Sequence, residues 1–181
     1  MNTNDQPLKC TTNTVIKDTK APRYIKPDSV KFLEALSFET TKNRFPNFPF
    51  PPKPSYRDDT SNGLTKCVID LINLKGFQAE RINSTGMLKD NRKTSTDILG
   101  NKRIIGSVQW IKSTSQKGTA DISATIKGRS VKIEIKCYAT GDKYQSSGQI
   151  AYQKQIERSG GVYLIVRNFT DFYNWFQNIQ L

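Results

Sequence analysis

The chain contains no histidine, and that single absence removes a large part of hydrolytic chemistry. Histidine-based triads, HExxH zinc sites and histidine-metal nuclease motifs are all excluded, so any metal must rest on oxygen ligands. Cysteine is scarce too. Cys10, Cys67 and Cys137 are odd in number, widely separated and in no CxxC arrangement, which argues against a disulfide framework and a thiolate zinc site and for a reducing, cytoplasmic compartment. No stretch approaches the ~18 apolar residues of a membrane span. The first residues, MNTNDQPLKC, lack a basic start followed by an apolar run; the expectation is a soluble chain that is not exported and has no membrane partner.

Acidic residues are also in short supply. Asp and Glu number 16 against 28 Lys and Arg, a formal charge of +12, and such a surface favours a polyanionic partner. The excess is uneven: residues 1–60 carry 10 basic and 7 acidic side chains, residues 61–181 carry 18 and 9. The second part is therefore the better candidate for contacting phosphates. At 181 residues the chain suits one compact core with an appendage, since one core usually serves about 100–200 residues.

The appendage is expected over residues 1–60. Residues 1–27 are polar, contain Pro7, Pro22 and Pro27, and cannot bury much apolar surface. Asp28 is the expected cap of a helix from Ser29 to about Lys42, with Val30, Leu33, Leu36 and Phe38 as an imperfect apolar stripe that docks on the main domain. The track FPNFPFPPKPSY, Phe45 to Tyr56, holds five prolines and reads as an extended tether, with partner recognition through this proline-rich segment as the second reading.

The main domain, residues 61–181, opens on an amphipathic helix. Leu64, Cys67, Val68, Leu71 and Ile72 recur at three and four, and Gly76 ends the run. Phe77 to Asn83 reads as a strand, Ser84 to Lys102 as a long exposed polar loop, and Ser107 to Ser113 as a short added strand.

The stretch TADISATIKGRSVKIEIKCY alternates strictly. Ile122, Ala124 and Ile126 interleave with Asp121, Ser123 and Thr125; Val131, Ile133 and Ile135 interleave with Lys132, Glu134 and Lys136. Two half-buried strands follow, joined by a tight turn in which Gly128 supplies the positive φ. With Lys127 and Gly128 as a two-residue loop, Ile126 faces Arg129, Ile122 faces Ile133, and Asp121 lies opposite Glu134. Opposed carboxylates in a sheet repel, their Cβ atoms being only about 5 Å apart. A divalent cation removes the repulsion, and Mg²⁺ suits hard oxygen ligands completed by water and phosphate oxygens. Lys136 falls two residues beyond Glu134 on the same strand face, where its ammonium can hold the attacking water and stabilise charge developing on phosphorus. Against this, Lys132, Glu134 and Lys136 alone would equally serve as the solvated face of an amphipathic strand.

Downstream, Ser146 or Ser147 caps a helix from Gly148 to Arg158 that Gly160 ends, with Gln149 in its first turn. Val162 to Val166 reads as a strand in the sheet interior, and Phe169, Phe172, Tyr173, Phe176 and Ile179 as the core-facing stripe of a last helix that seals the sheet.

The ordered set Gly118-Thr-Ala-Asp121, Glu134-Ile-Lys136 thirteen residues on, Ser146-Ser-Gly-Gln149 and Gly160-Gly-Val-Tyr, with the leading helix and the RINSTG turn from Arg81 to Gly86, resembles the PD-(D/E)XK nucleases. The resemblance is specifically to the small VRR-NUC type related to archaeal Holliday-junction resolvases, and it runs from about Asn62 to the C terminus. It implies an α/β, restriction-endonuclease-like core in the order αβββαβα, a mixed sheet flanked by helices. It also implies a Mg²⁺- or Mn²⁺-dependent endonuclease acting on DNA, structure-specific for junctions or flaps, in replication, recombination or repair, in a bacterial or phage setting. In such enzymes the acids ligate metal, the lysine assists the water and a glutamine orients the site; by motif match these are Asp121, Glu134, Lys136 and Gln149. Junction cleavers of this kind act as two-fold homodimers. Lys112, Lys117, Lys132 and Lys143 flank the carboxylates and are the expected DNA contacts. Two positions depart from the pattern: Ala120 stands where a proline usually precedes the Asp, and the first-helix acid falls near Ser61 or Asn62; Asp70, expected on the helix's solvent face, and Glu80 are the acids that could replace it, and neither is counted as a catalytic residue. The competing reading is a fold of this type that binds DNA, or a partner, without cutting.

Overall fold

The computed structural model describes residues 23–179; Cys10 and most of the expected polar arm lie outside the described residues. The first helix, α1, spans Asp28–Arg44. Its N-cap is Pro27 and not Asp28; Asp28 sits in the first turn and pairs with Lys31 at 2.8 Å. The Val30 and Lys31 N–H groups donate to the Pro27 carbonyl at 3.1 and 3.2 Å, so the turn forms without a side-chain cap. Val30 and Leu33 are fully buried in the same apolar core as α2, Ser61–Leu74. The proline-rich track is pinned at its end: the Tyr56 N–H donates to Glu34 Oε1 at 2.8 Å, and the Tyr56 hydroxyl to Asp70 Oδ2 at 2.8 Å. Phe45, Phe48 and Phe50 along it remain exposed.

Helix α2 buries the expected stripe, Leu64, Cys67, Val68, Leu71 and Ile72. Thr60 caps it by accepting from the Gly63 N–H, and the chain turns at Gly76 into β1, Gln78–Arg81. The next segment is not a loop. It forms four short strands, β2 Met87–Asp90, β3 Lys93–Thr96, β4 Lys102–Ile105 and β5 Val108–Ile111, paired as β2 with β5 and β3 with β4 outside the main sheet. The last of them falls within the strand expected over Ser107 to Ser113; every residue of the four is exposed, which is why no buried face announced the other three in the sequence.

The main sheet has the order β1-β6-β7-β8, where β6 is Ile122–Ile126, β7 Arg129–Ile135 and β8 Val162–Val166. The first two pairings are antiparallel and β7 with β8 is parallel, as a crossover through α3, Ser147–Arg158, requires. The chain is thus mixed α/β, a mixed sheet flanked by helices. Among the sheet-bearing elements the order is helix, three strands, helix, strand, helix. The strand β8 lies at an edge and not in the interior; its residues are mostly half-buried. One sheet face carries Ile122, Ala124, Ile126, Val131, Ile133 and Ile135, all buried, packed against α2 and α4, Phe169–Asn178. Each fully buried branched side chain contributes about 1.5–3 kcal/mol. The α4 aromatics Phe169, Phe172 and Phe176 seal this core as the stripe predicts. Helix α3 packs beside β8 and reaches over the other sheet face, where the polar residues of β6 and β7 lie.

Candidate active site

The site begins with a turn. Lys127 and Gly128 both adopt positive φ, 48° and 79°, the primed hairpin geometry that matches strand twist. The two-residue loop sets the register that the alternation implies: Ile126 pairs with Arg129, Ala124 with Val131 and Ile122 with Ile133. One step further, Asp121 stands opposite Glu134. The Asp121 carboxylate is tied there, its Oδ2 accepting the Ile135 N–H at 2.9 Å.

Glu134 and Lys136 are not a solvated strand face. They are 2% and 5% exposed, and Lys136 Nζ lies 3.3 Å from Glu134 Oε1. The cover comes from α3. Ser146 accepts the Gln149 N–H while Gln149 Oε1 accepts the Ser146 N–H at 2.8 Å, a complete capping box. That reciprocal cap fixes the glutamine so that its Nε2 donates to Glu134 Oε1. Gln149 therefore both starts the helix and orients the carboxylate.

Burial, and after it the negative charge of Asp121, pushes the Glu134 carboxyl up from 4.5 to about 7, against the opposing pull of Lys136. Burial also works against charging Lys136, but the carboxylates of Asp142 and Glu134 outweigh it and hold the ammonium above the usual lysine range. Two side chains at this site carry no motif. Asp142 pairs with Lys136 Nζ at 2.9 Å, from a loop whose sequence gives no signal. Tyr163 directs its hydroxyl at Glu134 Oε2 across a long 3.4 Å; burial, then the Glu134 charge, keep its phenol neutral well above the ordinary range. Its position was readable: on β8 it pairs with Lys132, and so shares the face of Glu134.

Asp121 also borders an open cleft of about 420 Å³ lined by Arg81, Ile82, Asn83, Ser84 and Thr85, the residues of the RINSTG turn. Lys112 and Lys117 are exposed on the segment leading from β5 to β6. Lys132 is half-buried and donates to Ser123 Oγ at 2.6 Å across the hairpin, and Lys143 is exposed beside Asp142. The substitute acids do not join the centre. Asp70 accepts from Tyr56 on the α1 side of the core, half-buried and not on the solvent face. Glu80 pairs with Ser123 and so lies on the site face of the sheet, but it is exposed and has no side-chain partner among the described residues. Where the first-helix acid is expected, Asn62 Oδ1 accepts from Arg81 Nη1 at 3.1 Å.

Among the described residues no group of three or more acidic, histidine or cysteine side chains converges. The donor set is two hard carboxylates, Asp121 and Glu134, with a mutual repulsion expressed in the raised Glu134 pKa. This fits Mg²⁺ or Mn²⁺, which take one or two carboxylates and complete their shell with water and phosphate oxygens. No family model, no curated protein and no solved structure matches this chain.

Proposed function

We propose that this chain is a metal-dependent nuclease of the PD-(D/E)XK type, on a restriction-endonuclease-like core, that hydrolyses DNA phosphodiester bonds. The observation that carries the reading is the burial of Glu134 and Lys136 together, beside an Asp121 that borders an open cleft. A buried carboxylate and ammonium cost several kcal/mol of desolvation each, and well-packed apolar residues in their place are often neutral or stabilising for a fold. Their retention makes sense as chemistry.

In this reading Asp121 and Glu134 hold Mg²⁺ or Mn²⁺, which when bound supplies charge neutralisation at the scissile phosphate and an acidified water. Gln149 and Tyr163 each engage one Glu134 oxygen and so fix the carboxylate beside Asp121. Lys136 holds the attacking water and compensates charge developing on the phosphorus oxygens, a role for which its ammonium must stay charged, as Asp142 and Glu134 ensure.

The test is cleavage of labelled linear, flapped and four-way-junction DNAs in EDTA, Mg²⁺ or Mn²⁺, comparing the wild type with Asp121→Ala and Lys136→Ala. Metal-dependent cutting that falls at least about a hundredfold in both variants supports the reading and names the substrate. Undiminished cutting by Asp121→Ala refutes it. The second reading, a DNA-binding protein that does not cut, is favoured by one observation: Asn62, engaged by Arg81, stands in place of the first-helix acid. Tight DNA binding with no cleavage in either metal selects it.

A further inference from the structure

The four strands outside the main sheet are one object. The pairs run from Met87 opposite Ile111 to Asp90 opposite Val108, and from Lys93 opposite Ile105 to Thr96 opposite Lys102, a single unbroken register. Between them the Asn91 N–H still donates to Ser107 O at 3.2 Å, while Gly106, at φ 101° with no room for a Cβ against the Asn91 backbone, marks a kink. The Asp97 carboxylate closes the tip by accepting the Leu99 and Asn101 N–H groups at 2.9 and 2.8 Å. Ten residues per strand at about 3.3 Å each give a ribbon about 30 Å long, the axial length of one turn of B-form DNA. Its root is the cleft itself: the Ser113 and Ser115 hydroxyls donate to Asn83 O at 3.4 and 3.3 Å, and Asn83 lines the cleft with Asp121.

Because opposed residues share a face and alternate along each strand, Lys89, Lys93 and Arg103 fall on one side of the ribbon and the Asp90–Arg92 ion pair on the other. Between Met87 and Ile111 the ribbon has five cations and two carboxylates. Asp90 is taken by Arg92 and Asp97 by the tip, so neither offsets the cationic face; Lys89, Lys93 and Arg103 have no ion-pair partner among the described residues. At the tip Ile98 and Leu99 are 103% and 82% exposed.

We propose that this ribbon is a DNA-gripping arm, its Lys89–Lys93–Arg103 face lying along the phosphates of duplex DNA and its Ile98–Leu99 tip wedging against the bases. The inference rests on the nucleic-acid reading of the site but not on cleavage. A second copy of the chain is the weaker occupant, since two such ribbons bring like charge against like charge. Duplex is favoured over single-stranded nucleic acid, which is held mainly by aromatic platforms; the arm has one aromatic side chain, Trp110, packed at its root against Gly86. Paired β-strands enter the grooves of B-form DNA, and apolar tips unstack base steps there, whereas the major groove of A-form RNA is too deep and narrow to read.

The experiment measures binding of the full chain to a labelled DNA duplex in EDTA over a range of KCl. The Lys89→Gln/Lys93→Gln/Arg103→Gln variant should bind at least about tenfold more weakly at 0.15 M salt, with a log–log salt slope shallower by roughly 2–3. Ile98→Ser/Leu99→Ser should weaken binding with the slope unchanged. The control Lys42→Gln/Arg44→Gln/Lys53→Gln removes the same charge elsewhere and should do neither. Equal losses in control and ribbon variants, no duplex binding by the wild type, ribbon-dependent capture on phosphatidylserine vesicles in place of DNA, or a ribbon-dependent dimer by light scattering each overturn the proposal. Ribbon-dependent binding without cleavage in Mg²⁺ upholds it and sinks only the nuclease reading.

Discussion

Two glycines with almost the same backbone make a matched experiment on how the site is held. Gly118 has φ 85° and Gly128 φ 79°, so alanine at either carries a left-handed penalty of about 1 kcal/mol. They differ in the space available. Nothing lies within 4 Å of a Cβ built on Gly128, whereas one on Gly118 overlaps the Gly148 carbonyl and comes within 2.6 Å of Gln149 N. The obstacle is the backbone of the first turn of α3, which cannot rotate away as a side chain would. Overpacking of this kind adds roughly 1–3 kcal/mol, so Gly118→Ala should cost about 3 kcal/mol and Gly128→Ala about 1. For a chain of this size that is about 6–12 °C against 2–4 °C in Tm. Urea unfolding in EDTA reads both, and two-dimensional NMR of the side-chain amides reads the second consequence: the Gln149 Nε2 signal should shift in Gly118→Ala and stay put in Gly128→Ala. Equal losses of stability, or an unmoved Gln149 amide in Gly118→Ala, would show that the close approach of Gly118 does not position α3, and with it Gln149.

Two further outcomes follow from the burial pattern. In the metal-free protein, Glu134 keeps its proton up to about pH 7 while the unfolded chain releases it near 4.5, so between those values the folded state binds more protons and stability falls as pH rises. The loss is complete above pH 7 and amounts to up to about 3 kcal/mol; Glu134→Gln lacks it, so the stability difference between wild type and this variant should change by that amount between pH 4.5 and 8, and a difference independent of pH refutes the assignment. Leu33, fully buried on α1, should cost about 2–5 kcal/mol when replaced by alanine; a loss below about 1 kcal/mol in urea unfolding would mean that α1 is a detachable arm and not part of the core.

The parts of this structure that the sequence discloses are those where one local rule is strong. The β6–β7 register follows from a two-residue turn and an uninterrupted alternation, so Asp121 and Glu134 could be placed opposite one another from residues alone. The cap of α3 was equally legible, because Ser146 and Gln149 satisfy each other at a spacing of three. Burial of Glu134 and Lys136 was not legible: alternation assigns them to the polar face, and only the crossover of α3, a long-range event, covers that face. Three of the ribbon's four strands, all but β5, were missed for the opposite reason. A strand pair that buries nothing has no apolar face to alternate with a polar one, so Ser84 to Lys102 reads as loop. The edge position of β8 escaped because a short apolar run, Val162 to Val166, does not say how many neighbours it has. Asp28 gave way to Pro27 because the helix starts one residue earlier than expected, with proline's fixed φ suited to the boundary.

Because no residue of β2, β3, β4 or β5 contributes to the core, most substitutions along them change stability by less than about 0.5 kcal/mol. The hairpin β6–β7 has no such latitude, since its outward residues are the site and its inward residues are the core. One chain therefore holds two regions of unequal tolerance: a change of length or charge in the ribbon is felt by whatever the ribbon touches and not by the fold, whereas a change in the strands beside it is felt by the fold itself.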